Sequence, residues 1–128
     1  VKAAKKNKID TIFFATPLTT NNRLKETAKK VKGFIYVISR LGITGARDDL
    51  QQGTLKLLRR IKNKTTLPLC VGFGISTPEH IKAVCKAGAA GAIVGSAVVK
   101  IIEKNLKNKK SMLTKIENYI KELKEATK

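Results

Sequence analysis

The chain has 128 residues, of which 42% are hydrophobic, and this suits one globular unit with a single core. Its net charge of +18 permits nucleic acid, an anionic surface or anionic small molecules as partners. No apolar run approaches the roughly 18 residues of a membrane span, and no signal peptide is visible.

The sequence opens with a helix end and a first strand. Residues 1–8 are typical of the tail of a helix, and the chain begins with Val1 rather than Met, so we expect a preceding segment. Residues 12–15 form an apolar run that stops at a Thr-Pro breaker, as a strand would. Thr20 or Asn21 then caps a helix whose apolar face is formed by Leu24, Ala28 and Val31.

Strands and helices continue to alternate along the rest of the chain. The predicted strands are residues 34–38, 68–71 and 92–94, near-continuous apolar runs of the kind found in parallel sheets covered on both faces. Ser76 or Thr77 caps one helix, in which Pro78 suits the first turn and Glu79 the capping-box position. Apolar residues at helical spacing predict three helices. The first contains Leu55, Leu57, Leu58 and Ile61, and the second contains Ile81, Val84 and Cys85 and ends near Gly88. The third contains Val98, Ile101 and Ile102.

The last helix is predicted to start near Ser111. Its apolar stripe is expected to face the core, with a partner-binding face as the alternative. The stripe consists of Leu113, Ile116, Ile120 and Leu123.

This order of about four β/α units predicts an α/β fold with a parallel sheet. A complete (β/α)8 barrel takes about 250 residues. We therefore predict one unit over residues 1–128, the C-terminal half of a TIM barrel, with its N-terminal half missing. The short extra helix before the last favours the half barrel over a flavodoxin-like open sheet, which is the rival architecture.

Two glycine-bearing turns are the strongest functional signal. Residues 72–76 and 91–96 each follow a strand and precede a helix. Glycine lets backbone N–H groups approach an anion, and a helix N-terminus adds unpaired donors. In such barrels phosphate often lies between the last two strand-to-helix turns, at the start of a short extra helix. The alternative is that these glycines only form tight turns.

A third glycine loop follows the second strand, over residues 39–46. Its two glycines, Gly42 and Gly45, and the Thr44 hydroxyl suit an active-site lid, and an ordinary connection is the alternative. The loop has the pattern Ser-Arg-x-Gly-x-Thr-Gly. With this loop, Tyr36 and the two glycine turns, the sequence resembles the tryptophan synthase α subunit family over nearly its whole length.

The resemblance implies a lyase of tryptophan biosynthesis that cleaves indole-3-glycerol phosphate to indole and glyceraldehyde 3-phosphate. In that family the catalytic Glu and Asp belong to the first half of the barrel, so no catalytic residue is assigned to this chain, which alone is expected to be inactive. The family roles place the phosphate at Gly45, Gly74, Gly95 and Ser96, with Phe73 shaping that end. Tyr36 would line the substrate pocket, and Thr44 would orient the missing Asp.

The resemblance also implies a partner. The family assembles with a β subunit as an α2β2 tetramer, and pyridoxal phosphate belongs to that subunit, so no cofactor and no metal are expected in this chain.

The frequent Lys, Asn and Ile residues point to an AT-rich genome, so we expect an intracellular soluble protein of a plastid stroma or the cytoplasm.

Two other functions remain as alternatives. Another phosphate-binding TIM-barrel enzyme would share the glycine turns. A basic nucleic-acid-binding module would suit the charge, but aromatic residues make up only 5% of the chain and no basic-aromatic motif is present.

Several reactive residue types are interpreted as structural. Asp48 and Asp49 are expected to be solvated loop residues, because adjacent side chains rarely point at one substrate. His80, without a second ligand type nearby, is expected to be exposed rather than to bind a metal. Cys70 and Cys85 are expected to be reduced, buried thiols.

Overall fold

The computed structural model describes residues 1–38, 52–72 and 74–128 of the chain. The strands are β1 (Phe13–Ala15), β2 (Ile35–Ile38), β3 (Leu69–Gly72) and β4 (Gly91–Ala92). The helices are α1 (Lys2–Lys6), α2 (Asn21–Lys30), α3 (Gln52–Lys62), α4 (Pro78–Lys86), α5 (Ser96–Glu103) and α6 (Lys109–Glu125). The predicted loop at residues 39–46, the Asp48–Asp49 pair and Phe73 lie outside the described residues.

All strands pair in parallel, in the order β1-β2-β3-β4. The predicted parallel sheet is therefore confirmed, but the bounds of its last strand are wrong. β4 ends at Ala92 rather than at residue 94, although the Ile93 N–H still donates to the carbonyl of Val71 at 2.7 Å. The chain turns away after this bond to begin α5.

The two faces of the sheet differ in burial because side chains alternate along a strand. One face is fully covered, and its residues join apolar side chains of the helices in one core; they are Ala15, Ile35, Val37, Leu69 and Val71, each 0% exposed. The opposite face, here called the open face, carries Phe14, Tyr36, Cys70 and Gly91 in one register row. The described residues cover only one face of the sheet, and Phe14 on the open face is 60% exposed.

The helix starts distinguish between the predicted caps. Thr20 rather than Asn21 caps α2, and its hydroxyl accepts from the Arg23 N–H at 3.3 Å. Thr77 rather than Ser76 caps α4 in the same way, accepting from the His80 N–H at 3.3 Å. Glu79 is therefore the second helical residue and not the third, so the predicted capping-box position belongs to His80.

The last helix begins close to its predicted start, but the prediction for its apolar stripe is corrected. It begins at Lys109 behind an Asn108 cap, two residues before Ser111. Its apolar stripe is only partly in the core, because Leu123 is 5% exposed whereas Leu113 and Ile120 are 54% and 44% exposed. In the described part of the chain, α6 packs mainly against α4 and α5.

Three burial predictions also change. His80, expected to be exposed, is buried with 4% of its surface accessible, because its ring folds back over the start of α4. Cys70 and Cys85 are free, as expected, but half-buried rather than buried, since Cys70 lies on the open face. Burial raises the pKa of the Cys70 thiol, which keeps it protonated at neutral pH.

The Thr77 cap makes a first testable prediction. In the full-length protein, Thr77→Ala is expected to lower the free energy of unfolding by about 1 kcal/mol, because the His80 N–H loses its acceptor. Urea denaturation measures the change. Thr66→Ala, at an exposed position before β3, is the matched control and should stay within about 0.5 kcal/mol of the parent. Equal stability of both variants would show that the cap is unimportant.

Candidate functional site

Two turns lie side by side at the carboxyl ends of neighbouring strands. One follows β3 and leads into α4, and the other follows β4 and leads into α5. Because β3 and β4 are adjacent and parallel, both turns open at the same edge of the sheet. In α/β proteins this edge is where ligands bind.

The turn after β3 is built around Gly74 and Ser76. Gly74 has a φ of +95°, a backbone conformation that favours glycine. Ile75 is 3% exposed and anchors the turn in the core. The Ser76 N–H donates to Nδ1 of His80 at 3.3 Å, and the Ser76 carbonyl accepts from the Tyr119 hydroxyl at 2.8 Å. The backbone at Ser76 is thus fixed on both sides.

The turn after β4 ends at Gly95, which begins α5 without a side-chain cap. Side chains cap the starts of α2, α4 and α6. The Gly95 carbonyl accepts from the N–H groups of Val98 and Val99 at 2.9 and 3.1 Å. The first N–H groups of a helix point out along its axis at the positive end of its dipole, and this arrangement suits an anion.

Gly95 differs from Gly74 in its backbone conformation. Its φ is −121° and its ψ is −75°, outside the left-handed region that favours glycine. Among the described residues, a Cβ added at this position would meet nothing within 4 Å. A tight turn that needs glycine for its positive φ is therefore present at Gly74 but not at Gly95. The open space above Gly95 favours the close approach of a ligand.

Tyr36 lies two strands away from the second turn and on the open face. Its ring meets Phe14 edge-on, with ring centroids 5.2 Å apart and an interplanar angle of 68°. Its other side lies directly over Gly72, where an added Cβ would be 2.6 Å from Cε1 of the tyrosine. Burial raises the pKa of the Tyr36 phenol, so this group stays neutral at physiological pH.

The structure describes four of the predicted site residues. Gly74 and Gly95 lie in the two turns, Ser96 begins α5, and Tyr36 lies on the open face over Gly72; their binding roles stay predictions. Thr44, Gly45 and Phe73 fall outside the described residues, so their roles stay predictions. Two side chains that contact the turn after β3 were not predicted to do so: His80 was expected to be exposed, and Tyr119 was not a candidate. His80 lies only four residues from Ser76, whereas the Tyr119 contact depends on how α6 packs, for which the sequence gives no local signal.

The carboxylates with shifted pKa values do not suit acid catalysis. Hydrogen bonding and charge attraction from Lys29 lower the pKa of Glu26, and Lys121 does the same for Glu117. Hydrogen bonds from its own N–H and from Thr77 lower the pKa of Glu79. All three carboxylates are exposed and ionised. Across residues 1–38, 52–72 and 74–128, no three His, Cys, Asp or Glu side chains form a group that could hold a metal.

A second concave surface lies at the other end of the sheet. This groove has a volume of about 530 Å³ and is located where α2 and α3 end. Its lining, here called the lysine groove, consists of Ala28, Lys29, Lys62, Asn63, Lys64, Thr65 and Thr66. It lies at the opposite end of the sheet from the glycine turns, and it offers lysine ammonium groups instead of backbone donors. None of the helices in the described part of the chain is long and apolar enough to cross a membrane.

Comparisons with known proteins agree on one family. The family model described as "Tryptophan synthase alpha chain" matches residues 1–128. The tryptophan synthase alpha chain of Methanoregula boonei is 46% identical over 123 residues, which cover 96% of this chain and 46% of that protein. The Arabidopsis thaliana protein of the same name is 41% identical over 123 residues, which cover 96% and 44%.

Solved structures give the same result for the fold. A chain of the tryptophan synthase α2β2 complex from Pyrococcus furiosus superimposes with a TM-score of 0.83 at 37% identity, covering 95% of this chain and 48% of that chain. An isolated α subunit from the same organism gives a TM-score of 0.81 at 34% identity. The chain therefore has the fold of part of a TIM barrel and spans about half the length of the relatives it matches.

Proposed function

The chain belongs to the tryptophan synthase alpha chain family, and on that premise we propose that the full-length protein cleaves indole-3-glycerol phosphate to indole and glyceraldehyde 3-phosphate. One observation carries the contribution of this chain. Two turns with exposed backbone donors open at the same sheet edge, and one of them begins an uncapped helix at a glycine with free space above it.

The proposed role of this chain is to bind and orient the substrate. The phosphate accepts hydrogen bonds from backbone N–H groups at Gly74, Gly95 and Ser96, where the α5 dipole favours its negative charge. Fixed backbone donors lose little entropy when the ligand binds. Tyr36 then contacts the apolar part of the substrate from the open face. We propose that Thr44, Gly45 and Phe73 also line the phosphate-binding end of the site.

The reaction itself is a retro-aldol cleavage. The carbon–carbon bond between the indole ring and the glycerol chain breaks, and the ring carbon gains a proton. The hydroxyl on the departing carbon loses its proton and becomes the aldehyde carbonyl. An acid near the indole and a base at that hydroxyl are needed. In the proposal these are the Glu and Asp of the first half of the barrel, and Thr44 orients the Asp.

We also propose that the full-length protein works with a β subunit, which would receive the indole and carry pyridoxal phosphate. The support is the similarity to a chain of the Pyrococcus furiosus α2β2 complex.

We further propose that the protein is located in the plastid stroma or the cytoplasm, because its relatives include archaeal and plant proteins. Cell fractionation with an antibody against the protein distinguishes the two compartments.

The test is an assay of indole release from indole-3-glycerol phosphate by the full-length protein, with and without a β subunit. We expect the unmodified full-length protein to release indole and the isolated 128-residue chain to release none. The full-length variants Thr44→Val and Gly74→Leu should release indole far more slowly. The first change removes the hydroxyl, and the second forces a branched side chain to a φ of +95°. If the parent binds glycerol 3-phosphate but releases no indole, a different phosphate-ester substrate is indicated and the proposed reaction is wrong.

A further inference from the structure

The peptide backbone at Ser76 is held by two side chains from different helices. His80, in the first turn of α4, accepts the Ser76 N–H through Nδ1 at 3.3 Å. Tyr119, 43 residues further along the chain on α6, donates its hydroxyl to the Ser76 carbonyl at 2.8 Å. His80 is 4% exposed, and Tyr119 is half-buried and packs against the core. These two contacts, here called the Ser76 clamp, link the turn to both helices.

The clamp acts on the segment that presents the phosphate donors. Ser76 is two residues after Gly74, whose positive φ lets the backbone reverse. A turn with a glycine in this conformation has several accessible geometries, because glycine restricts φ and ψ least. Fixing Ser76 at both its N–H and its carbonyl removes most of them. The cap of α4 adds a third restraint, since Thr77 also holds the His80 N–H at 3.3 Å.

We propose that His80 and Tyr119 are positioning residues for phosphate binding, which rests on the proposed function. They do not touch the substrate, and instead they fix the turn after β3 so that its N–H groups meet the phosphate without rearranging. Preorganisation of this kind raises affinity because less conformational freedom is lost on binding. Indole, which lacks a phosphate, does not use the turn.

The expected effect is selective for the phosphate end of the substrate. Tyr119→Phe deletes the donor and leaves the ring in place, so the affinity for glycerol 3-phosphate should fall about three- to tenfold, the range of one neutral hydrogen bond. The KM for indole-3-glycerol phosphate should rise by a similar factor with kcat nearly unchanged, because a uniform binding contribution is lost. Indole affinity should remain that of the parent.

His80 allows a rescue test. His80→Leu removes the acceptor for the Ser76 N–H and should weaken glycerol 3-phosphate binding as Tyr119→Phe does. His80→Asn keeps a side-chain oxygen that can accept the same N–H and should recover most of the affinity. A purely structural role would instead make both variants lose stability without this difference in binding.

The experiment is calorimetric titration of the full-length protein and its variants with glycerol 3-phosphate and, separately, with indole. Leu123→Ala is the matched control on α6, because it removes a buried side chain that is 5% exposed and leaves the clamp intact. It should lower the melting temperature and leave glycerol 3-phosphate affinity unchanged. If the parent binds but Tyr119→Phe and His80→Leu bind equally well, the positioning role is wrong. If the parent itself does not bind glycerol 3-phosphate, the proposed function is wrong as well.

Discussion

Gly72→Ala is expected to reduce the turnover of indole-3-glycerol phosphate by the full-length protein about 100-fold, the effect of moving a pocket group by roughly 1 Å. The added Cβ would be 2.5 Å from Cζ of Tyr36, well inside contact distance. Gly72 is buried within the sheet and paired with Ile38, so the strand cannot easily move aside. The tyrosine has to leave its position beside Phe14 instead.

The same change should cost stability. Overpacking a core position costs about 1–3 kcal/mol, which urea denaturation of the variant would measure. Gly53→Ala is the control, because a Cβ there meets none of the described residues within 4 Å. Within α3 it should even stabilise by about 0.5–1 kcal/mol.

A double variant identifies the clash as the cause. Combining Gly72→Ala with Tyr36→Ala removes the ring that the new Cβ would hit, so stability should recover relative to the sum of the two single changes. Turnover should stay low, because the pocket wall is then missing. Additive stabilities would show that Gly72 is needed for some reason other than the Tyr36 ring.

In contrast to Gly72→Ala, Gly95→Ala should leave the stability of the fold unchanged and weaken phosphate binding. The φ of Gly95 lies outside the left-handed region and none of the described residues lies within 4 Å of an added Cβ, so the unfolding free energy should stay near that of the parent. The methyl group would, however, occupy the space above the first turn of α5. Losing a hydrogen bond to a charged group costs about 1.5–3 kcal/mol, so glycerol 3-phosphate affinity should fall by roughly 10- to 100-fold.

Gly88→Ala is the matched comparison for Gly95→Ala. Gly88 follows α4 and has a φ of +97°, so alanine there is strained and should lower stability by about 1 kcal/mol. It lies before β4, away from the carboxyl ends of the strands, and should leave glycerol 3-phosphate affinity unchanged. If Gly95→Ala instead lowers stability and spares affinity, the open space at Gly95 has no role in binding.

The parallel sheet was predictable because its signals are local. Apolar runs with breakers define β1 to β3, and the Thr77-Pro78 pair fixes the start of α4. The family pattern and the glycine turns led to the same edge of the sheet. Gly95 was predicted as a phosphate ligand, but only the structure shows the open space that the described residues leave around its Cα.

Some of the failed predictions concern packing between elements. The helical spacing of Leu113 and Ile120 indicates an apolar face, but spacing alone does not tell which surface covers it. His80 was expected to be exposed, because its hydrogen bond from the Ser76 N–H forms only when its ring folds back over the start of α4. Tyr119 gave no signal, since its partner lies 43 residues away.

We propose that fixed backbone donors, rather than lysine side chains, bind the phosphate. Amide chemical shifts of the ¹⁵N-labelled full-length protein, titrated with glycerol 3-phosphate, test it most directly. We predict that the largest changes occur at Gly74, Gly95 and Ser96 and persist as salt is raised to physiological strength. Largest changes at the lysine groove, around Lys62 and Lys64, that disappear with added salt would contradict the claim.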